Sequence, residues 1–205
     1  MPDVSSHREH AIRLVAIGAS AGGVEALGLL LQALPATTHV AVVVVLHLPR
    51  DRPSLLPALY AQRCALPVRE AGDKEPVLPG TVYFAAPDYH LLIEQDFTFS
   101  LSVDAPVHHS RPAIDVTLES AAYAYGRQML GIILTGASAD GAFGLAVVRQ
   151  QGGLAWVQDP LEAVAGTMPA AAIALAGADC IYSLQQIAAG LSRLGPDQHR
   201  PGQHS

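Results

Sequence analysis

Three short stretches carry side chains that could do chemistry together. In Leu14–Leu27, LVAIGASAGGVEAL, a serine sits between glycines as Gly18-Ala19-Ser20-Ala21-Gly22. This is the G-x-S-x-G spacing in which a tight strand-to-helix turn presents a hydroxyl as a nucleophile. A serine hydroxyl needs a base to activate it. His47 directly follows the apolar run Val40–Leu46. An imidazole base in turn needs a carboxylate to fix its tautomer and to stabilise the imidazolium that forms. Asp140, in LTGASADGAFGL, is such a carboxylate in a glycine-flanked loop. Together the three would run acyl transfer through serine, with no metal and no organic cofactor. The helix that follows the serine would point its positive end at the site. The Ala21 N–H in that turn is a candidate oxyanion donor.

Each residue also has a plainer role. A histidine that ends a strand is commonly a packing or capping residue. Asp140 would serve as the N-cap of the helix that follows it. Asp115 is the rival carboxylate, but it falls within a helical run. Phosphate binding is a further reading of the first loop, and it fits less well. A dinucleotide loop wants G-x-G-x-x-G and an acidic residue after the second strand. Here Ser20 replaces the middle glycine, and His47 stands where the acid should be. A P-loop needs Gly-Lys-[Ser/Thr], whereas Gly23 is followed by Val24.

The elements that must position these residues alternate in type. Strands are expected at Ile12–Ile17, Val40–Leu46, Met129–Leu134, Leu154–Val157 and Cys180–Tyr182. Helices are expected at Val24–Leu34, Pro53–Arg63, Ala113–Tyr125, from Gly141 to about Gln151, Met168–Ala176 and Leu184–Leu194. Short alternating runs at Thr81–Ala85, His90–Glu94 and Thr98–Leu101 follow the Pro79-Gly80 turn and suggest an antiparallel insertion or sheet edge. The whole predicts a doubly wound α/β fold. Its sheet is mostly parallel, with helices on both faces and a small antiparallel edge element. In such sheets ligands bind beyond the carboxyl ends of the strands. Ser20, His47 and Asp140 all lie in loops that leave that edge.

Composition agrees and excludes alternatives. Half of the 205 residues are hydrophobic and 15% are charged, against about 25% in an average soluble protein. This suits parallel strands buried on both faces. The length suggests one domain over 12–194, with polar, disordered ends at 1–11 and 195–205. A net charge of −6 without basic runs argues against nucleic acid and against membrane-surface binding. No secretory signal is evident, and the longest apolar run is too short to cross a bilayer, so a cytoplasmic protein without membrane insertion is expected. Cys64 and Cys180 are spaced neither as a metal site nor as a redox pair, and read as two buried thiols in a reducing compartment.

With these loops in place, the chain resembles the catalytic domain of the chemotaxis protein-glutamate methylesterases, the CheB family. The resemblance runs from about Ile12 to Leu194. It rests on AIGASAGGVEAL, VVVLHLP, VLPGTVYFAAPDYHLLI, SRPAIDVTLESAA and GIILTGASADGAFGL, in this order. It implies Ser20 as nucleophile, His47 as general base and Asp140 as the orienting carboxylate. It implies hydrolysis of glutamyl methyl esters on the cytoplasmic helices of methyl-accepting chemoreceptors, and deamidation of receptor glutamines. Arg111 is a candidate to bind an acidic residue near the ester. Family members commonly carry an N-terminal receiver domain. With about eleven residues before the first strand, this chain is expected to lack one and to act constitutively or under a separate response regulator. Ala137-Ser138 and Ala21 depart from the family pattern at the pocket wall, which bears on substrate identity. The competing expectations are an esterase or amidase on a different substrate, and a docking module without chemistry.

Overall fold

The computed structural model describes residues 11–47 and 55–194. Strand β1 (Leu14–Ala19) and β2 (Ala41–Leu46) are wholly buried, and lie side by side in parallel register from Leu14 opposite Ala41 to Ala19 opposite Leu46. Helix α1 (Gly23–Gln32) connects them. Helix α2 (Leu56–Ala61) leads to β3 (Val68–Glu70) and β4 (Val82–Phe84). The pair β5 (His90–Ile93) and β6 (Phe99–Ser102) precedes α3 (Ile114–Tyr125). The chain then alternates through β7 (Met129–Ile133), α4 (Ala142–Gln150), β8 (Leu154–Gln158), α5 (Thr167–Ala176), β9 (Cys180–Tyr182) and α6 (Leu184–Leu191).

Seven strands form one parallel sheet in the order β3-β4-β2-β1-β7-β8-β9. The chain starts in the middle at β1, adds β2, lays β3 at the edge and returns to place β4 between them, then builds the other half outward from β7. Both faces are covered. Leu27, Leu30 and Leu31 of α1 pack with Tyr60 of α2 and with Ile187 and Leu191 of α6 on one face. Ile114 and Leu118 of α3 pack with Leu145 and Val148 of α4 and with Ala172 of α5 on the other. Residues of one strand alternate between these two cores: Leu14 and Ala16 belong to one, Val15 and Ile17 to the other. That alternation on a doubly covered sheet is why the strands read as continuous apolar runs. Because α1 and α4 leave adjacent strands towards opposite faces, a crevice opens between the carboxyl ends of β1 and β7.

The antiparallel expectation holds for β5 and β6, which pair from His90 opposite Ser102 to Ile93 opposite Phe99. They form a two-stranded sheet of their own, and Leu91, Ile93 and Phe99 close the core beneath α3. β4 differs from expectation. It pairs parallel with β2 and β3 inside the main sheet. β3 has no counterpart in the expected strands, because its Val-Arg-Glu is at most half-buried and carries no apolar pattern. α2 is shorter than expected and takes Pro57 in its first turn. Pro53 lies outside the described residues, as do Pro49 and the chain ends before residue 11 and after 194. Cys64 and Cys180 are free thiols, each half-buried where full burial was expected. Among the described residues no helix is long and apolar enough to cross a membrane.

Candidate active site

Register places Ser20 beside His47. Ala19 lies opposite Leu46 at the ends of β1 and β2. The next residues, Ser20 and His47, are therefore neighbours across one strand spacing, about 4.8 Å. The His47 N–H donates to the Ala19 carbonyl at 3.1 Å, and the Ser20 N–H donates to the Thr135 carbonyl at 3.0 Å. The serine thus sits between the ends of β2 and β7. Its turn is tight: the Gly23 N–H donates to the Ser20 carbonyl at 2.8 Å. Gly22 caps α1 in the left-handed region at φ 78°, where a side chain is strained. A Cβ on Gly23 would stand 2.6 Å from Leu46 Cδ1, so the second glycine is required by packing. The Thr135 hydroxyl donates to the Ala21 carbonyl at 2.8 Å and holds the turn from the β7 side.

Asp140 meets His47 as expected. His47 Nε2 lies 2.8 Å from Asp140 Oδ2, with the carboxylate fully buried and the imidazole 13% exposed. A carboxylate only accepts, so the proton of this bond sits on Nε2, and in the neutral imidazole Nδ1 is then bare. Among the described residues Nδ1 has no partner, and neither does the Ser20 hydroxyl. A base with one nitrogen oriented by a carboxylate and the other open, beside a serine in a glycine turn, can accept that serine's proton.

Asp140 does cap a helix, but not the one that follows it. Residue Gly141 caps α4 without any side chain of its own. Asp140 instead accepts from the first turn of α3: the Ile114 N–H reaches Oδ2 at 2.7 Å and the Asp115 N–H reaches Oδ1 at 2.9 Å. α3 needs this, because its own N-cap is Ala113, which has no side-chain oxygen to offer. Asp115, the rival carboxylate, repeats the device in reverse. Its Oδ1 accepts from Gly141 N–H at 2.9 Å and from Gly144 N–H at 2.7 Å, in the first turn of α4. Burial pushes the Asp115 carboxyl up. The Gly144 N–H pulls it back, the Asp140 carboxylate raises it again, and His108 and the Gly141 N–H lower it, with a net rise.

His108 Nε2, Asp115 and Asp140 bring potential ligand atoms within 4.8 Å of one another. Four backbone N–H groups and the His47 ring already point at these carboxylates. These donors fill Asp140 and Asp115 Oδ1, and leave Asp115 Oδ2 facing His108 Nε2 at 3.2 Å. Arg111 stands outside this group. Its guanidinium donates to Asp88 Oδ1 from Nε at 3.1 Å and Nη2 at 2.8 Å, and from Nη1 to the carbonyls of Val103 at 2.7 Å and Asp104 at 3.1 Å. It thereby ties the segment after β6 to the turn before β5. The Ala21 N–H, in contrast, has no acceptor among the described residues, and Ala21 is exposed. Two buried groups escaped sequence reasoning. His90 accepts the Ala113 N–H on Nδ1 at 3.2 Å, and Gln158 accepts the Thr135 N–H at 2.9 Å. A polar residue at the end of an apolar strand was the available signal for Gln158.

The profile of the CheB methylesterase family matches residues 15–191. A putative protein-glutamate methylesterase/protein-glutamine glutaminase of Leptospira interrogans is 42% identical over 180 residues, covering 88% of this chain and 93% of that protein. A protein-glutamate methylesterase/protein-glutamine glutaminase of Bordetella parapertussis is 40% identical over 197 residues, covering 92% of this chain and 55% of that protein. The crystal structure of the Thermotoga maritima CheB methylesterase catalytic domain superposes with a TM-score of 0.85 at 33% identity, over 90% of this chain and 99% of that one.

Proposed function

The chain belongs to the CheB methylesterase family, and from that premise we propose that it is a cytoplasmic serine hydrolase of chemoreceptor glutamyl methyl esters. The observation that carries the reading is the 2.8 Å bond from His47 Nε2 to Asp140, which leaves Nδ1 bare on the residue that flanks Ser20.

Ser20 Oγ attacks the ester carbonyl carbon while its proton passes to His47 Nδ1. Asp140 stabilises the imidazolium so formed. The oxyanion of the tetrahedral intermediate faces the open Ala21 N–H at the N-terminus of α1, where the helix dipole adds its field. The bond from carbonyl carbon to methoxy oxygen breaks, and His47 returns the proton to the leaving group as methanol. Water then attacks the acyl-serine. His47 Nδ1 takes one of its protons and gives it to Ser20 Oγ as the glutamic acid side chain departs, to lose its own proton to solvent. A glutamine side chain would follow the same path, with ammonia leaving. No step requires a metal or an organic cofactor.

Leu161 and Val164 on the loop after β8, and Phe143 in the first turn of α4, stand exposed at this same edge. An apolar rim of this kind supports a polypeptide substrate, such as receptor helices. The test is methanol release from methylated chemoreceptor membranes by the native chain and by Ser20→Ala. Release that disappears in the variant supports the reading. Equal release from both overturns it, and silence of the native chain on receptors with turnover of other esters or amides would assign a different substrate.

A further inference from the structure

We propose that Asp115 is a positioning residue for this site, a role that rests on the hydrolase reading above. The catalytic cycle does not use Asp115, yet it is buried at 5% exposure beside Asp140. Burying a second carboxylate next to the first is costly unless its bonds are specific.

Those bonds form a closed clamp. The backbone N–H groups of Ile114 and Asp115 hold both oxygens of Asp140, at 2.7 and 2.9 Å. The Asp115 side chain holds the N–H groups of Gly141 and Gly144, at 2.9 and 2.7 Å. Each helix is capped by the acidic residue at the start of the other. Asp140 immediately precedes Gly141, so any slide of α4 along α3 would carry Asp140 off the His47 ring. The two bonds from Asp115 oppose that slide. The sequence is fitted to it: a Cβ on Gly144 would stand 2.8 Å from the Asp115 carbonyl oxygen. Only glycine lets the helix ends come close enough for the clamp to shut.

Asp115 also has a charge to contribute. Its Oδ2 faces His108 Nε2 at 3.2 Å, on a loop whose residues His108 and His109 both adopt left-handed backbone. Asp140, His47 and His108 are the other titratable groups of this cluster. With Asp115 ionised, two carboxylates stand behind the His47 ring, and both favour the imidazolium that forms as Ser20 loses its proton. Asp115 touches neither substrate nor reacting atoms, and acts through Asp140.

A cap that only held the fold together would alter stability and leave the His47–Asp140 bond alone. Two variants of the full chain separate the cases. Asp115→Asn keeps an oxygen for the Gly141 and Gly144 N–H groups and removes the charge, while Asp115→Ala removes both. The first readout is the proton resonance of the His47 Nε2–H, which reports its bond to Asp140 whether or not any ester is hydrolysed. We expect it to move upfield in Asp115→Asn and to broaden with solvent exchange in Asp115→Ala. The second readout is methyl-ester turnover. We expect kcat to fall about 10–100-fold in Asp115→Ala with KM nearly unchanged, as for a misplaced catalytic group. In Asp115→Asn we expect a smaller loss, with the acid limb of the kcat/KM–pH profile moved to lower pH. An unchanged resonance, or an unchanged kcat and acid limb, in a folded variant overturns the proposal. If Asp115→Ala does not fold, Asp115→Asn decides alone. A native chain that turns over no ester sinks the hydrolase reading, and the resonance still judges the clamp.

Discussion

The N-termini of α1 and α3 lie at the same edge of the sheet and are treated in opposite ways. Both helices lack a side-chain cap of their own. At α3 the orphan N–H groups are filled by the side-chain oxygens of Asp140. At α1 the Ala21 N–H in the preceding turn has no acceptor among the described residues. A helix N-terminus favours negative charge wherever it stands. One is satisfied in the resting protein and fixes a carboxylate. The other is where the proposed reaction would develop its negative charge. Under the proposed function a single physical feature serves once as structure and once as chemistry, and the difference lies in which loops reach it.

Substitutions can break this contrast from either end. The largest effect is expected at Ser20→Ala. Ester hydrolysis should fall at least about 10³–10⁴-fold, while denaturant unfolding stays within about 0.5 kcal/mol, since the hydroxyl has no partner among the described residues. Asp140→Asn should damage both functions of its carboxylate. Its amide nitrogen cannot accept from α3, so we expect a kcat loss of about 10³-fold or more together with about 1–3 kcal/mol of stability.

Two glycines sharpen the comparison. Gly141 adopts φ 96°, and a Cβ there would stand 2.6 Å from Ile133 Cδ1 and 2.8 Å from Ile114 Cγ2, deep in the core. Gly22 adopts φ 78°, and its Cβ would meet Val164, which is 81% exposed and free to move. Gly141→Ala should therefore cost more stability, about 2–3 kcal/mol against about 1–2 kcal/mol for Gly22→Ala. Gly22→Ala should cost more activity per kcal/mol, because it distorts the turn that presents Ser20. Thermal unfolding and ester turnover measured on the same preparations decide this.

Asp115 makes the pH dependence of stability readable. Burial raises its pKa in the fold, so the folded state holds this proton more tightly than the unfolded chain. Its contribution is present in full at low pH and is lost as pH rises through and above the ordinary carboxylate range. The melting temperature of Asp115→Asn relative to the native chain should accordingly improve as pH rises through that window. The smallest effect is expected on the α1 side. The Tyr60 hydroxyl donates to the Val24 carbonyl at 2.7 Å, and burial lifts its pKa to about 12. Tyr60→Phe should cost about 1 kcal/mol and leave turnover unchanged.

Much of this was legible in the sequence, for reasons that particular residues make clear. The strands of the sheet centre announce themselves, because burial on both faces forces unbroken runs such as Ala41–Leu46. The convergence of Ser20, His47 and Asp140 follows from parallel topology, which sends every strand's carboxyl end to one edge. β3 was illegible because two half-buried residues and an exposed one carry no period. The cap of α3 was illegible because it is supplied by Asp140, distant in sequence and paired only by the fold. Asp115 looked like a rival to Asp140 and proves to be its counterpart, a relation that no local pattern encodes. Arg111, singled out for a negative partner, has one in Asp88 of its own chain.

The central claim is that His47 presents Nδ1 as the base while Asp140 holds Nε2. The most direct test is the ¹⁵N spectrum of histidine-labelled protein at alkaline pH, with His47 assigned by its loss in His47→Gln. The structure requires a protonated Nε2 and a bare Nδ1. A His47 ring protonated on Nδ1 would contradict it, because that nitrogen could not then receive the proton of Ser20.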